Sequence, residues 1–356
     1  MKIANRMETL SPSVTMAITA LGRELKAQGK DILSFSAGEP DFDTPEIIKQ
    51  AAIKAINDGH TKYTAVEGII ATKQAIINKL KKDHGLEYKL DGIVISNGAK
   101  HSLFNLFQVL IEKGDEVIIP APYWVTYPEQ VKFSDGIPVF IDTDDSTEFK
   151  ITPEQLKAVI TPKTKVLLLN TPSNPTGSVY TKEELTALGK VLEGTDILVF
   201  SDEMYEKIIY NGTKFTAAAE VSEDMYNRTV TINGLSKAVA MTGWRFGYIA
   251  TPNVALAKAL TKLQGQVTSN VNTMTQYAAI PALEGEADKD IEMMRVEFEK
   301  RKNIAVKSFN EIKGLSTIDP DGAFYLFVNI KEVTNDSMKF CSDLLEQKGV
   351  ALVPGL

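Results

Sequence analysis

With one cysteine among 356 residues, Cys341, the chain has no internal disulfide, which fits a reducing cytoplasm. Histidine is almost as scarce. His60, His84 and His101 are the only three, none spaced with a second ligand as a zinc site requires, so no metal centre is expected. No apolar run approaches the roughly 18 residues of a membrane span. Met1 to Leu10 mixes charged and polar residues where a secretory signal places an apolar stretch, so neither membrane nor export is expected. Internal repeats and low-complexity stretches are lacking too. Base is outnumbered by acid, 39 to 46, and a formal net charge of -7 argues against nucleic acid as a non-specific partner. What remains is a cytoplasmic globular protein too long for one usual core, so two domains are expected.

What is present is a series of short runs dense in Ile, Val and Leu that do not alternate with polar residues. Such runs suit strands buried on both faces. Seven are candidates: Ile93-Ser96, Val117-Ile119, Val139-Ile141, Val166-Asn170, Ile197-Ser201, Thr229-Asn233 and Phe246-Ala250. Helical segments lie between several of them. One begins at a capping box, Thr181 with Glu184, ahead of Leu185 and Leu188. The pattern predicts an α/β fold, a large domain over 41–285 around a mostly parallel sheet. Residues 1–40 with 286–356 are expected to form a smaller α+β domain, with a helix over 15–26, a charged helix over 288–307, and strands at Ala323-Asn329 and Val350-Val353.

Three clusters sit where candidate strands end, the place at which open α/β sheets bind ligands. Ser96-Asn97-Gly98-Ala99-Lys100 leads into a helix, so its backbone N–H groups can close on an anion such as phosphate. Asp202, at the end of an apolar strand, needs its charge compensated, and a protonated pyridine nitrogen is one way to do so. Lys237 follows Asn233-Gly234-Leu235-Ser236, where burial can depress its pKa and free the amine for imine formation. Ser236 and Arg245 are both within reach of a phosphate, Arg245 as a two-pronged fork. Each cluster alone is as well explained by an ordinary turn, cap or surface lysine. Together they supply an imine lysine, a ring-nitrogen carboxylate and a phosphate cup. Asn174, in the stiff Thr171-Pro172-Ser173-Asn174-Pro175 loop, and Tyr205, three residues past Asp202, add donors for a ring hydroxyl. Trp124 adds a face on which a ring can stack. The cofactor with those four needs is pyridoxal 5'-phosphate.

At these residues the chain resembles the class I, fold-type I pyridoxal-phosphate aminotransferases, and within them the bacterial aspartate aminotransferase subgroup. The matching stretches are GEPDFDTP (38–45), TKYT (61–64), NGAKHSLFNLF (97–107), PYWVTYPE (122–129), NTPSNPTG (170–177), SDEMYE (201–206), LSKAVAMTGWRFGY (235–248) and DGAFY (321–325). They span nearly the whole chain. The resemblance implies that Lys237 carries the cofactor as a Schiff base and moves the substrate Cα proton. Asp202 pairs with the pyridinium nitrogen, while Tyr205 and Asn174 bond the ring oxygen. Trp124 stacks on the ring, and Gly98, Ala99, Lys100, Ser236 and Arg245 hold the phosphate. Tyr63 serves the phosphate of a neighbouring subunit, so a homodimer with shared sites is implied. Gly38, Trp124 and Asn174 contact the substrate, and Lys100 meets an acidic side chain with Ser13 or Thr15 nearby.

The implied reaction moves the amino group of an L-amino acid, aspartate foremost, to 2-oxoglutarate by a two-stage exchange. An aromatic or prephenate-type acceptor, or a carbon–sulfur β-lyase on the same scaffold, is the alternative. In one respect the sequence departs from the pattern. The family continues past Val353-Pro354-Gly355 into a strand ending in an arginine that clamps the substrate α-carboxylate. No such arginine is found up to Leu356.

Overall fold

All seven apolar runs become strands of one sheet. A computed structural model of the chain describes residues 2–12 and 14–355, without the side chains of 14–16. The expectations for Ser13 and for the Thr15 side chain, and the terminal Leu356, lie outside the described residues. In chain order the strands are β1 (Leu33–Ser34), β2 (Ile93–Ser96), β3 (Glu116–Ala121), β4 (Ile137–Asp142), β5 (Thr164–Asn170), β6 (Leu198–Asp202), β7 (Thr229–Gly234), β8 (Gly247–Ala250) and β9 (Val350–Ala351). The large sheet has the order β2-β8-β7-β6-β5-β3-β4. Only β8 runs against its neighbours β2 and β7, while β7, β6, β5, β3 and β4 pair in parallel.

The residues of β2, β7 and β8 are buried throughout, which explains why β2 and β8 are apolar without alternation, while β7 (Thr229, Val230, Thr231, Ile232) alternates and buries its threonines as well. Edge strand β4, paired on one side only, is partly exposed at Ile137 and Phe140. Helices cover both faces. Leu103, Leu106 and Phe107 of the helix Ala99–Leu110 join one face core, and Leu185, Leu188 and Leu192 of the helix Lys182–Leu192 join another. Each fully buried side chain of this size contributes about 1.5–3 kcal/mol, so the sheet and its two layers form the rigid base of the molecule. The expected capping box is present: Thr181 Oγ1 accepts from Glu184 N at 3.2 Å and Glu184 Oε2 accepts from Thr181 N at 2.8 Å.

The tail and the beginning of the chain meet in a second, two-stranded sheet. Strands β1 and β9 pair in parallel, with Leu33 N bonded to Gly349 O and Phe35 N to Ala351 O. Ile32, Leu345 and Ala351 form a small core of their own, with Ile18 and Leu25 packed on it.

One expected strand does not form. Ala323-Asn329 makes no ladder, and this part of the chain has only isolated bridges, Ile209 to Gly322 and Ser316 to Asn329. Its composition is strand-like, but its backbone groups are claimed elsewhere. Ala323 N donates to Ile208 O, Gly322 N to Gly177 O, and Ala323 itself is fully buried at φ +57°. A residue in the left-handed region breaks the pleat, so the segment folds over the large sheet's edge instead of extending along it.

Candidate active site

Because β2 is antiparallel to β8 and β8 to β7, the carboxyl ends of β2, β7, β6, β5 and β3 share one edge of the sheet. Asp202 ends β6, and its partners in register are Asn170, the end of β5, and Ile232 of β7. Gly98, Trp124, Asn174 and Lys237 each follow one of these strand ends within four residues. The sheet therefore brings together residues up to 139 positions apart in sequence, as between Gly98 and Lys237.

Asp202 is 4% exposed. Burial pushes its carboxyl up to about 6, against the pull of two donors, Tyr127 and the backbone of Met204, and of the Lys237 charge. Tyr127 Oη donates to Asp202 Oδ2 at 2.8 Å, and Met204 N donates to Oδ1 at 3.3 Å. Tyr127 lies in the PYWVTYPE stretch, where the sequence alone gives it no role. Asn170 was missed in the same way. Its Nδ2 donates to Asp202 O at 3.0 Å while its Oδ1 accepts from Asn174 N at 2.7 Å, tying the end of β6 to the Asn174 loop. That loop holds Thr171-Pro172 and Asn174-Pro175 in cis, as is Ala121-Pro122 before Trp124. No side-chain bond engages the Asn174 amide among the described residues, which leaves it a free donor at the sheet edge.

Lys237 Nζ donates to Gly38 O and lies 6.0 Å from the Tyr205 ring centre. Burial around the amine pushes its pKa down to about 8, with Glu39 and Asp202 opposing and Arg245 and Lys100 assisting. A fraction of the amine is thus free near neutral pH, as a nucleophile and proton carrier must be. Tyr205 is buried, and its Oη sits 2.6 Å from that of Tyr325, a third residue to which the sequence assigns no role. Trp124 is half-buried, edge-on to Tyr127 at 5.3 Å, with Lys100 Nζ 4.8 Å from its ring centre.

The turn after β2 is built for close approach. Gly98 has φ +83° and precedes the helix Ala99–Leu110. At this φ any L side chain is strained, and a Cβ placed there would lie 2.5 Å from Arg245 Nη2, so the guanidinium could not keep its place at the helix start. Arg245 Nη1 donates to Thr242 O at 2.8 Å, fixing the fork while leaving it exposed. Ser236 is buried in the turn after β7. Cation, helix amino end and hydroxyl make a set suited to a phosphate. The whole donor set fits pyridoxal phosphate: a carboxylate for the ring nitrogen, donors for the ring oxygen, a phosphate cup, and an amine with a depressed pKa. Tyr63 stands apart from this group, 90% exposed, on a loop tied down where Thr273 Oγ1 donates to Lys62 O at 2.8 Å.

Glu206, in the same stretch as Asp202 and Tyr205, joins a largely buried ionic cluster. Glu206 pairs with Lys79 and with His84 Nε2 at 2.8 Å, and Asp83 pairs with Lys79 at 3.2 Å and Lys207 at 2.8 Å. Ligand atoms of Asp83, His84 and Glu206 lie within 4.8 Å of one another, a grouping the histidine spacing did not reveal. The Lys79 and Lys207 charges match these carboxylates, so the cluster reads as an ion-pair network that pins the β6 turn to the helix Ile70–His84.

Known proteins resemble this chain along nearly its whole length. The sequence profile described as aminotransferase class I and II matches residues 30–356. An aspartate aminotransferase of Geobacillus stearothermophilus is 50% identical, the match covering 100% of this chain and 91% of that protein. An aspartate/prephenate aminotransferase of Nitrosomonas europaea is 46% identical over 100% of this chain and 92% of its own length. The crystal structure of the aspartate aminotransferase from Rhizobium meliloti superposes with a TM-score of 0.96 at 41% identity, covering 100% of this chain and 91% of that one. The chain belongs to the class I and II aminotransferase family.

Proposed function

We propose that this chain is a pyridoxal-phosphate-dependent aminotransferase that moves the amino group of L-aspartate to 2-oxoglutarate, working in the cytoplasm as a homodimer. One observation carries the reading: Lys237, its pKa held near 8 by burial, shares a sheet edge with the buried carboxylate of Asp202. When bound, pyridoxal phosphate supplies an electron sink that stabilises negative charge at the substrate Cα.

The chain's own residues do the rest. Asp202 pairs with the ring nitrogen and keeps it protonated, and Tyr127 keeps Asp202 ionised and aimed. Tyr205 and Asn174 donate to the ring oxygen, and Trp124 stacks on the ring. Gly98, Ala99 and Lys100 close on the phosphate with Ser236 and Arg245. Lys237 holds the cofactor and, as a free amine, takes the proton from the substrate Cα at its Nζ. The Gly38 backbone, Asn174 and Trp124 contact the substrate, and Lys100 meets its acidic side chain. Residues 41–285 act as the cofactor-binding unit, and 1–40 with 286–356 as the smaller one, in line with the separate β1–β9 sheet and its small core. Tyr63 reaches the phosphate of the second subunit, a reading that its 90% exposure in the single chain supports.

Aspartate is favoured because it is the substrate named for the similar proteins of Geobacillus stearothermophilus and Rhizobium meliloti. The name of the Nitrosomonas europaea relative supports prephenate as an additional acceptor. The test is a half-reaction. Protein loaded with pyridoxal phosphate and given aspartate alone should lose its visible absorbance to the pyridoxamine form, and 2-oxoglutarate should restore it. An unchanged spectrum with aspartate, or a cysteine S-conjugate split to free thiol, pyruvate and ammonia without an acceptor, would overturn the reading.

A further inference from the structure

Tyr325 lies on a segment clamped over the site. Tyr210 N donates to Asp321 O at 2.8 Å, Ala323 N to Ile208 O at 3.0 Å, and Gly322 N to Gly177 O at 2.9 Å, while Tyr210 Oη donates to Ala323 O. Lys302, itself buried, donates to Asn211 Oδ1 at 2.8 Å and to Asp319 Oδ1 at 2.5 Å, anchoring the start of the segment. Ala323 at φ +57° is a conformation that alanine keeps only where its surroundings enforce it. The Tyr325 ring is therefore placed, not left to find its position. It meets the Tyr205 ring edge-on at 5.6 Å and Phe324 at 4.9 Å. Gly38 is needed beside it, since a Cβ there would lie 2.7 Å from Tyr325 Oη.

Two phenol hydroxyls 2.6 Å apart share one hydrogen bond, and each has a single proton to give. If Tyr205 donates to Tyr325, nothing of Tyr205 is left for a ring oxygen. The nearby Gly38 carbonyl already accepts from Lys237 Nζ. Tyr205 can serve the cofactor only if the bond runs the other way. We infer that Tyr325 is a positioning residue that donates its hydroxyl proton to Tyr205 Oη and so commits the Tyr205 proton to the cofactor's ring oxygen. This rests on the aminotransferase reading. Hydrogen bonds in such a chain polarise one another, so the donation from Tyr325 strengthens the hold of Tyr205 on a negatively charged oxygen. The other titratable groups facing this point, Asp202, Tyr127, Lys237, Lys100, Arg245 and Glu39, are the same with or without the Tyr325 hydroxyl.

The experiment is a pH titration of the visible absorbance of the loaded protein. Tyr325→Phe keeps the ring and its edge contacts and removes only the hydroxyl. The midpoint should rise by about 0.5 unit, the scale of a cooperative second hydrogen bond. Tyr205→Phe should raise it further, and Tyr325→Phe added to Tyr205→Phe should shift it no more. A merely structural role for Tyr325 predicts the same shift in both backgrounds, and that result overturns the inference. So does an unmoved midpoint in Tyr325→Phe alongside a shifted one in Tyr205→Phe, which leaves the aminotransferase reading intact. If the wild-type protein takes up no visible-absorbing cofactor, that reading falls and this inference with it.

Discussion

Replacing Tyr127 with Phe removes one hydroxyl from a residue that is 1% exposed, and the consequence can be worked out at Asp202. Folding raises the Asp202 carboxyl from 3.8 to about 6, mainly by burial. An acid raised on folding is held more tightly by protons in the folded state. Its penalty is absent below about pH 4, grows as pH rises, and is complete above about pH 6, where two units correspond to about 3 kcal/mol. Tyr127 opposes that rise by donating to the ionised carboxylate at 2.8 Å. A hydrogen bond to a charged group contributes about 1.5–3 kcal/mol, so losing it should lift the pKa by another one to two units, to about 7–8. Urea denaturation of the cofactor-free protein from pH 5 to 9 checks this. Glu203, raised to about 7, and His84, raised to about 9, go on lowering stability above pH 6 in both proteins, so the reading is the difference between wild type and variant. Tyr127→Phe should fall further behind wild type from about pH 6 to about pH 8 and then no further. A stability difference that stays constant across the range would refute the argument, because Tyr127 would then act by packing alone.

Two other perturbations follow from the same geometry. Gly98→Ala places a methyl group 2.5 Å from Arg245 Nη2 at φ +83°, and should weaken pyridoxal phosphate binding about tenfold or more in a fluorescence titration. Lys79→Met removes one of the two cations paired with the buried Glu206, leaving His84, and should cost up to about 3 kcal/mol, seen as a lower melting temperature. Adding Glu206→Gln should recover part of that loss, since it removes a carboxylate left short of positive charge.

The strands were legible in the sequence because burial on both faces leaves runs such as Val166-Leu169 with no polar residue to confuse the pattern. Asp202, Lys237 and Gly98 were legible because a polar or flexible residue at the end of such a run stands out. Tyr127 and Asn170 were not. Each touches Asp202 across the fold, 75 and 32 residues away, and nothing in the local pattern of a tyrosine on a helix or an asparagine ending a strand marks that contact. Ala323-Asn329 failed for a different reason. Its composition is that of a strand, but tertiary bonds to Ile208 and Gly177 and a left-handed Ala323 override the local preference. Tyr325 lay within that misread segment, so its meeting with Tyr205 stayed hidden.

The central claim is that Lys237 is the residue that binds pyridoxal phosphate covalently. Borohydride reduction of the loaded protein, followed by peptide mass spectrometry, tests it directly because reduction makes a lysine–cofactor link permanent. The account predicts one stoichiometric label, on the peptide containing Lys237, and none in Lys237→Ala. A label on any other lysine, or none in the wild type, would contradict it.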